Sequence, residues 1–151
     1  MTDAEFQIFL DDVSTCFLQR DFDLWQSRIA LPFSMVTQAG PVVLETVDEL
    51  RDNFDLYIVA CKSMHLDNIV RLPISLEDCQ DGTWLGTYQT HLMSGGQRAT
   101  DPYTSTAMMS QYAGVWKMTS ILNARGHHQW TGQSPARLRM RPPQGTAGVS
   151  T

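Results

Sequence analysis

The chain has 151 residues, of which 42% are hydrophobic and 18% charged, a composition typical of one globular domain that excludes disorder throughout. Its 11 basic and 16 acidic residues give a formal net charge of −5, which argues against nucleic acid or an anionic membrane as a partner. Three widely spaced cysteines, no signal-peptide pattern and no long apolar run favour a cytoplasmic protein without a membrane span.

Capping signals predict two helices at the start of the chain. Thr2 and Glu5 form a capping box ahead of apolar residues with helical spacing, which predicts a helix over 3–19. Asp21 is a suitable N-cap for a short second helix. That helix has to end before Pro32, because the residue preceding a proline disfavours helical backbone.

A hairpin and a third helix follow. Two short strand-like runs, 31–37 and 42–44, flank a Gln-Ala-Gly-Pro turn signal and predict a small hairpin. Thr46 and Glu49 then form another capping box at the start of a segment with helical hydrophobic period. We therefore predict a third amphipathic helix over 46–63.

After the third helix the hydrophobic period changes from 3.6 to 2, which predicts strands. The face of the first strand that is expected to be buried carries Leu66, Asn68, Val70, Leu72, Ile74 and Leu76. Glycine-containing turns then separate three further runs rich in Thr, Tyr, Trp and Val, at 83–93, 103–112 and 115–122. These four runs predict an antiparallel meander.

The element order predicts an α+β fold in which three N-terminal helices pack into a curved, mostly antiparallel sheet, forming a cone with an inner cavity. It excludes a doubly wound parallel sheet. The domain spans 1–124, with seven basic and sixteen acidic residues, a net charge of −9. The segment 125–151 is an Arg/Gly/Pro-rich tail with four Arg and no acidic residue. It is either solvated or docked on the domain or on a partner subunit.

Three segments carry a resemblance to a known superfamily. They are the acidic and aromatic helix junction FLQRDFDLW at 17–25, the third-helix start ETVDEL at 45–50 and the strand segment GVWKMT at 114–119. In these segments the chain resembles the nuclear transport factor 2-like superfamily, in its SnoaL-like and ketosteroid-isomerase-like branches. The resemblance covers about residues 3–123 and implies the cystatin-like α+β cone, a fold that hosts many unrelated activities.

The catalytic residues of ketosteroid-isomerase-like members have no counterpart here. The resemblance places Val13 at the position of their oxyanion-donating Tyr and Met108 at that of their protonated Asp. Thr37 or Gln38 stands at the position of their Asp base. Because neither Val nor Met donates a proton to a developing enolate, the resemblance argues against this reaction.

Two residues are candidates for acid–base catalysis. His91 lies in the middle of a strand, where an imidazole exchanges protons near neutral pH; the alternative is a hydrogen-bonded structural histidine. Asp101 precedes Pro102, where apolar surroundings would raise the pKa of its carboxyl; the alternative is a turn residue. His65 and Asp67, joined by His91, would make a metal site only if the sheet brought them together, and we expect no metal.

Aromatic and Met side chains interleaved with polar ones predict a mostly apolar cavity suited to a small hydrophobic molecule. The expected ligand-contacting residues are Trp25, Tyr57, Tyr88, His91, Tyr103 and Met108. We expect a small-molecule-binding domain without a cofactor that forms a homodimer through the outer sheet face. Two alternatives stay open: an isomerase, cyclase or dehydratase that uses His91 or Asp101, and a protein-interaction module that uses the sheet face and the tail.

Overall fold

A computed structural model describes residues 1–124, in which three helices precede most of a seven-stranded sheet. The helices are α1 (Asp3–Leu18), α2 (Phe22–Ser27) and α3 (Val47–Ser63). The strands are β1 (Ile29–Thr37), β2 (Gly40–Leu44), β3 (Asn68–Asp78), β4 (Trp84–Ser94), β5 (Gln97–Arg98), β6 (Tyr103–Tyr112) and β7 (Val115–Ala124). The predicted tail lies outside the described residues. No helix within 1–124 has the length and hydropathy needed to cross a bilayer.

The three helix starts form as the capping signals predict. The Thr2 hydroxyl accepts the backbone N–H of Glu5 at 3.1 Å, and the Glu5 carboxylate accepts that of Thr2 at 2.8 Å. Thr46 and Glu49 repeat this capping box at the start of α3, and the Asp21 carboxylate caps α2. These side chains satisfy backbone donors that have no partner within a helix, so they set where each helix begins.

The sheet is a curved, open, mixed sheet with strand order β2-β1-β7-β6-β4-β3, and β5 pairs with β4. Strands β3, β4, β6 and β7 form the predicted antiparallel meander. The hairpin of β1 and β2 joins the meander through a parallel pairing of β1 with β7. The α+β prediction, with helices packed into a curved and mostly antiparallel sheet, is confirmed.

One core fills the space between the helices and the inner face of the sheet. From α1 it takes Phe6, Phe9, Leu10, Val13, Cys16 and Phe17, all buried. From the meander it takes Ile69, Tyr88, Leu92, Ala107, Met109, Trp116 and Met118. Full burial of one large apolar side chain contributes about 1.5–3 kcal/mol, so these two surfaces hold α1 against the sheet.

The first half of β3 faces the opposite way from the prediction. Ile69 is buried and Arg71 points inward, whereas Leu72 is 48% exposed. An irregularity in the pairing just after Pro73 changes the register, and Leu76 packs against the core as predicted. A single extra residue in a strand exchanges its two faces, so one alternating pattern does not hold along the whole of β3.

α1 makes a close approach to the sheet at Gly86 of β4. A Cβ atom on Gly86 would lie 2.5 Å from Cζ of Phe6 and 2.7 Å from Cε of Met109. Both distances are far inside van der Waals contact, so a glycine is needed for the Phe6 ring to pack against the strand. We call the cluster of Phe6, Gly86, Ala107 and Met109 the packed end of the interior.

Candidate functional site

A cavity of about 80 Å³ lies among α3, the C-terminal half of α1 and the inner face of the sheet. Most of its lining is apolar and includes the rings of Phe17, Trp25 and Phe33 and the thioethers of Met35, Met64 and Met118. An engineered cavity of about 150 Å³ holds benzene, so a ligand of that size enters here only if lining side chains move. Methionine side chains are flexible enough to do so.

Aromatic packing fixes one side of this cavity. The Phe17 ring lies with its centroid 5.1 Å from that of Trp25, 5.2 Å from that of Phe54 and 5.6 Å from that of Tyr57. These rings come from α1, α2 and α3, so a single side chain of α1 links all three helices. Aromatic pairs at such distances contribute about 0.5–1.5 kcal/mol beyond their burial, so these contacts hold the three helices together on this side of the cavity.

Arg71 brings a positive charge into the otherwise apolar lining. Its Nε donates a hydrogen bond to Oγ of Ser14 at 3.1 Å, and its Nη1 donates one to Oγ1 of Thr90 at 3.0 Å. Its guanidinium carbon lies 5.8 Å from the centroid of the Tyr88 ring. The guanidinium is therefore held in place by α1 and β4, and it is the one charged side chain of residues 1–124 that lines the cavity.

Two tyrosine hydroxyls and one thiol of the lining stay protonated at neutral pH. Burial raises the pKa of the Tyr57 and Tyr88 hydroxyls and of the Cys61 thiol, and the positive charge of Arg71 opposes part of that rise. No Asp, Glu or His in the described part of the chain lines the cavity. The lining described by residues 1–124 thus offers hydrogen-bond donors and one cation, but no carboxylate or imidazole to accept a proton.

The structure places four of the predicted ligand-contacting residues around this cavity: Trp25, Tyr57, Tyr88 and Tyr103. They come from α2, α3, β4 and β6, which are widely separated in the sequence. The sheet and helices thus gather these side chains at one place, although their role in binding stays a prediction.

The remaining two predicted ligand contacts, His91 and Met108, do not line the cavity. Thr90 and Leu92 are buried on the inner face of β4, so His91 between them lies on the outer face, with Nε2 3.0 Å from Oε1 of Gln89. Met108 lies on the outer face of β6 and is 40% exposed. The period-2 rule that identified β4 as a strand was sufficient to predict this facing of His91.

Asp101, the other catalytic candidate, is exposed in the connection between β5 and β6 and does not line the cavity. His65 is exposed in the turn after α3, and the Asp67 carboxylate accepts the backbone N–H of Gly95 at 2.8 Å. The alternative metal set of His65, Asp67 and His91 is not assembled. Over residues 1–124, no three His, Cys, Asp or Glu side chains are placed to hold a metal ion.

Arg71 is the charged lining residue that sequence reasoning did not identify. The alternating pattern assigns Val70 and Leu72 to the core and thereby sends Arg71 to solvent. The available signal was Pro73, because proline within a strand marks an edge strand or a bulge. β3 is an edge strand with an irregularity at that position, so the facing of its side chains differs on the two sides of Pro73.

No protein-family model matches the sequence, and neither does any curated protein. Solved structures do match. A domain of unknown function with a cystatin-like fold from Nostoc punctiforme has a TM-score of 0.59 at 11% identity, over 99% of this chain and 94% of that one. An NTF2-like protein of unknown function from Shewanella oneidensis also has a TM-score of 0.59 at 11% identity, over 81% and 98%.

An enzyme is among the similar structures. The hexachlorocyclohexane dehydrochlorinase LinA-type3 from Novosphingobium barchaimii has a TM-score of 0.52 at 14% identity, over 79% of this chain and 82% of that one. At such low identities the likeness shows the fold alone, because this fold carries many different sites. The comparisons therefore agree with the fold implied by the resemblance and do not show an activity.

Proposed function

We propose that this chain, which has the nuclear transport factor 2-like fold, binds a small and mostly apolar molecule in the cavity between its helices and its sheet. The observation that carries the proposal is the lining of that cavity. Apolar rings and thioethers form most of it, and a few polar groups, including Arg71 and Ser105, lie together on the sheet side. Ligand sites commonly combine a mostly apolar lining with a few polar groups that orient the ligand.

The lining supports binding rather than acid–base catalysis. An isomerase, cyclase or dehydratase that removes a proton from its substrate needs a base within hydrogen-bond reach. Within residues 1–124 the cavity has no carboxylate or imidazole, and His91 and Asp101 both lie outside it. We therefore expect His91→Asn and Asp101→Asn to leave binding in the cavity unchanged.

Entry of a ligand requires side chains to move, and Met64 is well placed to do so. It is partly buried at the C-terminal end of α3 and lines the cavity. A shift of its unbranched side chain would enlarge the cavity without disturbing the helix. The proposal thus includes an interior that expands around its ligand.

Thermal unfolding in the presence of toluene tests this proposal. A ligand that binds only the folded state stabilises it, by about 2.7 kcal/mol at one hundred times its Kd, and raises the Tm. Ala60 is fully buried and lines the cavity, so Ala60→Leu would fill the space. We expect toluene to raise the Tm of the wild type but not that of Ala60→Leu.

The control for this experiment is Ile8→Leu, a change at an exposed position of α1 that should respond to toluene as the wild type does. No rise in Tm with toluene, benzene or indole would contradict binding in the cavity. An equal rise in wild type and Ala60→Leu would place the binding elsewhere.

We also propose that two copies of the chain pair through the outer sheet face, in the cytoplasm. Large apolar side chains are exposed there, among them Leu72, Met108 and Leu122. Apolar side chains exposed on one face of a sheet favour burial of that face against another surface. Light scattering should give twice the chain mass of 17.0 kDa, and Met108→Lys should give the single mass. A wild-type mass equal to that of one chain would contradict the pairing.

The proposed location in the cytoplasm rests on the cysteines. All three are unpaired, which fits a reducing compartment.

A further inference from the structure

We infer that the ligand of this cavity carries a negative charge, as a carboxylate does, and that the guanidinium of Arg71 binds that charge. The inference rests on the proposed function, since it specifies the chemical class of the molecule that the cavity accepts. It depends on three observations: the missing counter-charge of Arg71, the orientation of its donors, and the basic residues beside the cavity.

Arg71 has no carboxylate partner within the described residues. The ion pair there joins Arg28 to Asp12 at 2.8 Å, whereas no Asp or Glu oxygen lies within 4.0 Å of Arg71. The segment 125–151 contains no Asp or Glu either. Partial burial of a cation without a counter-charge is unfavourable, so a bound anion would stabilise this arrangement.

The hydrogen bonds of Arg71 orient it and leave donors available. Ser14 and Thr90 accept from Nε and Nη1. A hydrogen bond with the Tyr88 hydroxyl also acts on Arg71. A guanidinium has five N–H donors, so these three contacts do not use all of them. A guanidinium is planar, and two parallel N–H groups match the two oxygens of a carboxylate. The hydroxyl of Tyr88, which the charge of Arg71 influences, lies on the same side of the cavity as a neutral donor.

A second depression, of about 280 Å³, adjoins the cavity at the helix ends. The two share Phe17, Cys61 and Leu66 in their linings, and the depression also carries Arg20 and Lys62. We call it the basic groove. The domain around it has seven basic and sixteen acidic residues, so cations are gathered here in an otherwise acidic protein. Clefts lined by one sign of charge attract ligands of the opposite sign.

The backbone at the basic groove is consistent with this role. Arg20 and His65 follow the C-caps of α1 and α3, and both have left-handed backbone, with φ of 56° and 53°. Glycine is the favoured residue there, because the Cβ of any other residue crowds the following carbonyl oxygen. Arg20 thus places its charge at the groove at the expense of stability, as residues of functional sites often do.

Calorimetric titration at pH 7 with paired probes tests the inference. The probes are butanoate, hexanoate and octanoate, each compared with its neutral primary amide. A hydrogen bond to a charged group contributes about 1.5–3 kcal/mol, so the wild type should bind the best carboxylate about 10- to 100-fold more tightly than its amide. Arg71→Gln should remove that difference and change amide binding by less than about twofold. Arg98→Gln, at an exposed arginine of β5, is the matched control and should behave as the wild type.

The outcomes separate this inference from the proposed function. If wild type binds amide and carboxylate equally, the inference is wrong and the apolar cavity still binds ligands. If none of the six probes binds, and toluene gives no stabilisation, the proposed function fails as well. Circular dichroism checks that Arg71→Gln is folded. If it is not, Arg71→Lys replaces it: this variant keeps the charge but loses the paired donors, and an unchanged preference for carboxylate over amide would exclude bidentate binding by Arg71.

Discussion

The packed end of the interior and the end that holds the cavity, called here the cavity end, both lie between α1 and the sheet, but they differ in what faces the rings of α1. At the packed end the Phe6 ring lies against Gly86, where no side chain separates it from the strand. At the cavity end Phe17 packs on other rings, and the sheet side opposite carries Arg71 and Ser105. The aromatic residues alone therefore do not determine whether the interior is filled. The size and polarity of the residues that face the rings determine it.

The largest expected effect is the loss of Phe6 from the packed end. Phe6→Ala removes a ring that is 1% exposed and leaves a void beside Gly86, so the free energy of unfolding should fall by about 3–5 kcal/mol. Urea unfolding measures this change. Ile8→Ala on the exposed side of the same helix is the control, with an expected change within about 0.5 kcal/mol. Similar losses for both variants would contradict a filled packed end.

A smaller effect is expected from a methyl group added where α1 meets the sheet. Gly86→Ala places its Cβ against the Phe6 ring and should reduce stability by about 1–3 kcal/mol. Phe6→Leu combined with Gly86→Ala should lose less than the sum of the two single changes, because the smaller side chain relieves the clash. Simple additivity in the double-mutant cycle would show that Phe6 and Gly86 do not interact.

The same substitution at both ends gives the smallest difference and the closest comparison. Ala60 at the cavity end and Ala107 at the packed end are both fully buried. Ala107→Val should cost about 1–3 kcal/mol, whereas Ala60→Val should cost less than about 1 kcal/mol because the cavity has room. Secondary-structure propensity alone predicts the opposite order of costs. Ala60 lies in helix α3, where Val is unfavourable, and Ala107 lies in strand β6, where Val is favourable. An equal or larger cost at Ala60 would remove the distinction between the two ends.

Local signals in the sequence were sufficient for the helices and for the existence of the strands. The capping residues Thr2, Asp21 and Thr46 act on backbone groups only a few positions away, so they can be identified without tertiary information. The positions of the meander strands followed from glycine-containing turns for the same reason.

The candidate site was predicted only in part because it depends on which way each strand faces. Trp25, Tyr57, Tyr88 and Tyr103 line the cavity as expected, but Arg71 does not follow from the pattern of β3. An irregularity beside Pro73 decides its facing, and that irregularity is a property of pairing with β4. The volume of the cavity was also beyond the sequence, since it depends on how rings from several elements pack together.

The central claim is that the cavity end accepts a ligand while the packed end does not, and methionine methyl groups report on both. Met35, Met64 and Met118 line the cavity, whereas Met109 belongs to the packed end. Spectra of protein labelled with carbon-13 at the methionine methyl groups, recorded during titration with hexanoate, observe them separately. We expect the three cavity signals to shift and saturate together while the Met109 signal stays in place. Unchanged cavity signals, or a shift confined to Met108 on the outer face, would contradict the account.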